Sequence, residues 1–498
     1  MKLAAFIFGV TPLVINYYAK KYIEDDKEAT LTEFENDFGL IRIKSYDFIV
    51  VGDASWSYQN VLPLFKKSEN FVGELINPAE SDYYGIGGPL TVGTHMPAIF
   101  SKWAEAGIEL GYSIADPNGQ QIPSFTPMQK LIGVDGLRQS TYKSYILPFE
   151  GVRGNLTVIR YSTVTEILLN SAKRVYGVTY LKHGIPQIAH ASKEVILSAG
   201  AINSPLVLMM SGIGPRDILE GAGKIPVIID SPVGQNLADH VFLYLGPITF
   251  NSSAAPYLPR IREEDLEDSL KAYLETGVGE FGELQEGPQV FYASRRAVSD
   301  GQGRWSDVQI VFDAACPMSM DDEVESQACF SYYLNRPKSR GRVSLNTSAY
   351  VAGVTDFVKL AEIDFNGFSD PSDMGVLVEA IDFSLDIIGT HTYKSIGAVN
   401  SAPAISACSG FLYPSREYWV CYINQVANTA IHMVGTCAMG RVTHSKLRVL
   451  GAVGLRVADA SVLPSTPNAN LNYPTILVGE KAAEDILRDW GGFIGPTN

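Results

Sequence analysis

The sequence predicts an α/β fold folded as one unit, and three observations carry that expectation. Short apolar stretches rich in β-branched residues alternate with helical stretches along most of the chain, the pattern of strands covered by helices. No internal repeat, low-complexity tract or long linker interrupts them. The chain, 498 residues at 46% apolar and 19% charged, can bury two domains or one large one with a cap.

Taken in order, the elements begin with "MKLAAFIFGVTPLVINYYAKKYIEDDKEA", an early lysine, an apolar run and then charges. The sharper expectation is a signal segment within a leader over residues 1–45, and hence secretion; the other is a short buried or membrane-surface helix. The run falls short of the roughly 20 apolar residues of a spanning helix, so a membrane partner is not expected. Next, "YDFIVVGDASWSYQNVLPLF" (Tyr46 to Phe65) starts as the first strand of a nucleotide-binding fold should, running into Gly52. Such a glycine opens a G-x-G-x-x-G turn that lets a pyrophosphate approach a helix N-terminus. Here Asp53, Ala54, Ser55 and Trp56 follow instead. A failed cofactor site, an ordinary strand and the seam of a missing segment all fit these residues.

Further on, "NLTVIRYSTVTEILL" (Asn155 to Leu169) has β-branched alternation suited to paired strands. "KEVILSAGAINSPLVLMMSGIG" reads as strand, small-residue turn and apolar helix ending at Gly212 or Gly214, a geometry that points backbone N–H groups at a cofactor. "GRVSLNTSAY" from Gly341 is a strand after a basic turn. "LRVADASVLPSTPNANLNYPTILVGEKAAEDIL" gives a strand, an Asn/Pro-rich loop and a helix with Glu480 and Lys481 on its early turns. A loop held between two ordered elements presents side chains rigidly.

Composition narrows the function. A formal net charge of −15 opposes a nucleic-acid surface, which needs clustered Lys and Arg, and favours small or neutral ligands. Five scattered cysteines lack C-x-x-C spacing, so no metal site is expected; one or two bridges fit, and the odd count leaves a thiol over. The N-x-[ST] sites at Asn155, Asn251 and Asn346 are compatible with secretion but also expected by chance. No G-x-S-x-G elbow, H-E-x-x-H helix or P-loop lysine appears, which removes the commonest hydrolase, zincin and NTPase readings. A lone histidine in apolar surroundings, as His432 is in "AIHMVGTCAMG", is more often a satisfied core residue than a catalyst. His240, beside Asp239 in "VGQNLADHVFLY", reads equally as a structural hydrogen-bonder or a cleft residue.

Several segments resemble one family in order. "GAINSPLVLMMSGIG" matches the second signature of the glucose-methanol-choline (GMC) flavin oxidoreductases at every constrained position, from Gly200 to Gly214. "YYGIGGPLTV", "PVGQNLADH", "RPKSRGRVSL", "HMVGTCAMG" and "LRVADASVLP" look like further GMC segments. The resemblance spans Tyr46 to Ile486 and is closest to the glucose and choline dehydrogenase branch. It implies a Rossmann-like FAD/NAD(P)-binding domain with a discontinuous substrate domain on an antiparallel sheet. The implied segments are a truncated FAD-binding part with the start of the substrate domain over 46–245, a substrate-domain stretch over 246–334, and a C-terminal region over 335–486. Implied too are FAD as cofactor, an alcohol, sugar or choline-like donor, and oxygen or a quinone as electron acceptor.

By the same resemblance, His432 is the base that takes the hydroxyl proton and Asn470 the partner that hydrogen-bonds the alkoxide. The implied flavin contacts are Gly52, Val164, Ala199, Gly200, Asp459, Ala460 and Asn472. "WSYQNVLPLFKKSENF" (Trp56 to Phe71) resembles a family helix that normally follows the glycine turn, the ribose-binding acid and the Gly-Gly-Ser stretch. The first strand is therefore expected to run straight into that helix, with a truncated Rossmann unit and weak flavin binding or none. The alternative to an active oxidoreductase is an inactive remnant that binds a ligand or partner without turnover.

Overall fold

The computed structural model describes residues 53–491 apart from 120, 134, 224, 259–265, 278, 280, 282–285 and 315–326. The expected leader, the apolar run before Gly52 and Gly52 itself lie outside the described residues. The Asp53 carboxylate accepts from Ser55 N at 2.8 Å and caps a short turn over Ala54–Trp56. Trp56 is fully buried, its indole N–H donated to the Ser445 carbonyl at 2.7 Å. Helix α1 (Tyr58–Ser68) follows at once, burying Val61, Leu64 and Phe65 and carrying Lys66 and Lys67 in its last turn, where cations suit the helix dipole.

Strand β1 (Ser124–Thr126) belongs to the large sheet described below, and helix α2 (Phe100–Glu109) packs against it. Strands β2 (Ser162–Leu169), β3 (Val175–Lys182) and β4 (Ile185–His190) form a three-stranded antiparallel sheet in that order. The strand expected from Asn155 thus begins only at Ser162. Strand β5 (Val195–Leu197) leads into α3 (Gly200–Met210), which stops as expected because Gly212 turns left-handed at φ 79°.

A larger sheet has eight strands. Its centre is β6 (Val241–Thr249), β7 (Glu286–Tyr292), β8 (Val308–Asp313) and β9 (Gln327–Leu334), antiparallel in the spatial order β6-β9-β8-β7, with β1 beyond β7. Side chains alternate across a sheet. Leu243, Val290, Ile310, Phe312, Phe330 and Tyr332 point one way and pack with α2, α4 (Pro371–Gly389), α5 (His391–Ser395) and α6 (Arg416–Val426). Phe242, Phe291, Val311 and Tyr333 point the other way, toward Ala430 and Ala469 in the loops that carry the candidate site. With both faces covered, β8 and β9 are buried at every position. Each large apolar side chain so buried stabilises the fold by about 1.5–3 kcal/mol.

A disulfide joins Cys408 to Cys421 on α6, while Cys437 is a free thiol held in the core. Strand β10 (Leu455–Val457) pairs in parallel with β5. Among the described residues β5 has no other strand partner, and Ile196 at its centre is 42% exposed. Helix α7 (Asn472–Asp489) closes the described chain. Glu480 and Lys481 lie in its middle rather than on its early turns, where Glu480 pairs with Lys67 and Lys481 with Asp485.

Candidate active site

The turn between β5 and α3 meets the loop after β10. Asp459 Oδ2 accepts from Gly200 N at 3.0 Å and from Ser204 Oγ at 2.5 Å, and its Oδ1 accepts from Ser461 N at 2.8 Å. Gly200 has φ 83°, and a Cβ built there would have no atom within 4 Å. Beside it Ala199 is exposed, while Ala460 is buried next to Asp459. Asn472 opens α7, whose N-terminus has no side-chain cap and which packs on the Ala460–Val462 turn. Val164 lies further off on β2 and packs on the core shared with α3. Gly200, Asp459 and Ala460 are thus in direct contact, Ala199 and Asn472 border them, and Val164 is linked through the core.

The segment from His432 to Thr436 is sewn to this cradle. Thr436 Oγ1 donates to the Ala201 carbonyl at 2.6 Å, and Cys437 N to the Ser461 carbonyl at 2.8 Å. Gly435 must be glycine: its φ is 89°, and a Cβ would stand 2.3 Å from the Asn236 carbonyl oxygen. Ile431, a β-branched residue at φ 60°, presents His432 from a strained backbone. Asp239 clamps the same bend, accepting from His432 N at 2.8 Å and from the Thr429 hydroxyl.

His432 stands half-buried with its ring stacked on Tyr333, centroids 6.1 Å apart, and its Nδ1 lies 3.0 Å from His240 Nδ1. Burial lowers its pKa to about 4, leaving it a neutral proton acceptor at pH 7. Asn470 sits on the loop before α7, which Asn335 fastens to the end of β9 by donating to the Asn468 carbonyl at 2.6 Å. Gln309 Nε2 donates to Asn470 Oδ1 at 3.2 Å and to Gln289 Oε1 at 2.8 Å. The Asn470 amide nitrogen is left to donate elsewhere. His432 and Asn470 do not touch directly. Both stand over one face of the sheet, on Tyr333 and Gln309, which are paired across β8 and β9.

The residues that hold this pair were not foreseen: Gln309, Tyr333, Asp239 and His240 in its role toward His432. A polar residue inside the apolar run "VQIVF" was the one local signal for Gln309.

Comparison with known proteins gives the family and the fold. Sequence profiles of GMC oxidoreductases match residues 50–242 (N-terminal part) and 337–479 (C-terminal part). Glucose dehydrogenase [FAD, quinone] of Drosophila pseudoobscura pseudoobscura is 30% identical over 89% of this chain and 71% of its own length. The chain belongs to the GMC oxidoreductases. Another GMC relative, oxygen-dependent choline dehydrogenase of Pectobacterium carotovorum, is 31% identical over 91% of this chain and 79% of its own. The fold is shared with a crystal structure of formate oxidase, TM-score 0.75 at 23% identity, covering 87% of this chain and 79% of that one. It is shared also with an FAD-dependent oxidoreductase from Chaetomium thermophilum, TM-score 0.74 at 22% identity, covering 91% and 84%.

FAD is the cofactor of this family. The GMC chain has room for it here: open space stands over Gly200, Ala199 is exposed beside it, and the first-turn amides of α7 have no side-chain cap. The residues after Gly52 do not fit a pyrophosphate. Asp53, its pKa held down at about 2 by hydrogen bonds from Ser445 and Ser55, is ionised and occupies the Ser55 amide that a phosphate would need.

Proposed function

We propose that this GMC protein is an FAD-dependent oxidoreductase of CH–OH donors, an alcohol, sugar or choline-like compound, with His432 as base. The observation that carries the reading is that His432 and Asn470 share one sheet face while the His432 segment is tied to the Gly200–Asp459 cradle. FAD, when bound, supplies the hydride acceptor, and Ala199, Gly200, Ala460 and Asn472 would border its ring end. His432 takes the hydroxyl proton as the C–H bond gives up its electron pair, and the Asn470 amide donates to the oxygen as negative charge develops. Phe242 and Tyr333, packed on the same sheet face, would keep water from the reacting carbon. We assign oxygen or a quinone as electron acceptor, the alternatives named for the two curated relatives. Secretion belongs to the same proposal. No helix among the described residues is long and apolar enough to cross a membrane.

A second reading is favoured by the Asp53–Trp56 turn: a truncated Rossmann unit that binds ligand or partner without turnover. One measurement separates the two, the flavin released when the purified protein is denatured. Near-stoichiometric flavin, with alcohol-dependent dye reduction lost in His432→Ala, supports the oxidoreductase. No flavin even after incubation with FAD overturns it in favour of the second reading.

A further inference from the structure

We propose that His240 is a positioning residue that sets the tautomer of His432, keeping the proton on His432 Nδ1 and the lone pair on Nε2. This rests on the proposed role of His432 as base, but it is read from the hydrogen bonds alone. His240 is fully buried just before β6. Its Nε2 lies 2.9 Å from the Pro467 carbonyl oxygen, which can only accept, so Nε2 carries a proton. A neutral His240 then has a bare Nδ1, and the 3.0 Å contact with His432 Nδ1 requires the proton on His432. Burial opposes a second proton on His240 and outweighs the hydrogen bonds to the Pro467 and Asn335 main chain, which favour it.

The other groups around His432 leave this pairing alone. Asp239 is engaged by the His432 main-chain N–H and the Thr429 hydroxyl, and Tyr333 meets the imidazole with its ring. When Nε2 gains a proton, the Nδ1–H bond to His240 stays as it was and steadies the imidazolium without rearrangement. An imidazole free to choose would place a proton on Nε2 and be useless as a base until it tautomerised. The carbonyl of Pro467, on the loop that carries Asn470, thereby selects the active nitrogen of a side chain on a different loop.

Histidine ring nitrogens of the full chain, labelled with 15N and observed by long-range 1H–15N correlation near pH 7, test this. The expected wild-type signal is His432 protonated at Nδ1. His240→Phe, which removes the acceptor, should turn His432 into the Nε2–H form and lower its proton affinity about tenfold. His240→Asn, whose amide oxygen can stand in for Nδ1, should restore the wild-type tautomer. Wild-type His432 protonated at Nε2 would overturn the proposal whether or not the variants fold, as would an unchanged tautomer in a folded His240→Phe. A wild-type Nδ1–H signal with no alcohol oxidation would sink the oxidoreductase reading and leave the role of His240 standing.

Discussion

Gln309 and Tyr333 face each other across neighbouring strands, and each supports one of the two polar groups above the sheet. Gln309 bonds Asn470, and Tyr333 underlies His432. Directly opposed residues of an antiparallel pair stand about 5 Å apart, so the ladder itself sets the spacing of the two groups. His432 and Asn470 come from separate loops, yet their floor is one rung of a buried sheet.

Removing the Gln309 contact should therefore separate geometry from chemistry. Gln309→Leu leaves Asn470 Oδ1 unpaired in a buried setting, and we expect a loss of about 1–3 kcal/mol in stability. Turnover should fall more than apparent substrate affinity changes, because the proposed role of Asn470 is to donate as charge develops. Chemical denaturation and steady-state kinetics on the same preparation check both, and unchanged turnover would remove Asn470 from its assigned role.

Replacing His432 is the more direct probe of its proposed role as base. His432→Ala should lower turnover by about 10²–10⁴-fold while flavin content stays at the wild-type level. Absorbance of the bound flavin beside single-turnover rates decides the matter, and a variant as fast as wild type refutes the assignment.

Gly200 offers a test of where the ring sits. Gly200→Ala places a methyl group in open space at φ 83°, a backbone strain of about 1–2 kcal/mol. Gly353, at φ 82° and equally free of neighbours within 4 Å, provides a control with the same strain. Flavin affinity should drop in Gly200→Ala and not in Gly353→Ala. Equal losses in both would show that the space over Gly200 is not the ring site.

The two central histidines also make stability depend on pH. Burial holds His240 and His432 at about 3 and about 4, below their ordinary 6.5, so the unfolded chain binds more protons and their contribution is lost as pH falls below about 6.5. Asp239, raised by burial from 3.8 to about 6, acts in the opposite sense over its own range, its contribution fading as pH rises toward 6. Two histidines outweigh one aspartate. These three groups together should lower stability by about 1.4 kcal/mol per pH unit on acidification from about 6 to 4, while Glu286, raised by burial to about 8, opposes them above about 4.5, so the histidine share is read as the difference between urea melts of wild type and His240→Phe. The variant should lose less stability on acidification than wild type, and equal losses in both would contradict the burial of His240.

The legible parts of the fold and site had local signatures. The turn from β5 into α3 follows a long constrained pattern of small residues, whereas α1 was reached through resemblance to a family helix. Strands β8 and β9 were missed because burial on both faces erases the alternation by which a strand is usually read. His432 and Asn470 were reached through resemblance, since in local context each resembles an ordinary core or turn residue. The pairing of His240 with His432 spans 192 residues of sequence and leaves no local trace. The partner of Cys408 was equally hidden, because spacing does not specify connectivity.

Asp53 bears on how a dinucleotide would be held. Its carboxylate already takes the Ser55 amide, so a diphosphate approaching this turn would meet a negative charge and one N–H fewer. The free energy of holding FAD would then have to come from elsewhere in the chain, and the open space over Gly200 beside the Asp459 carboxylate is where a substitution should be felt most.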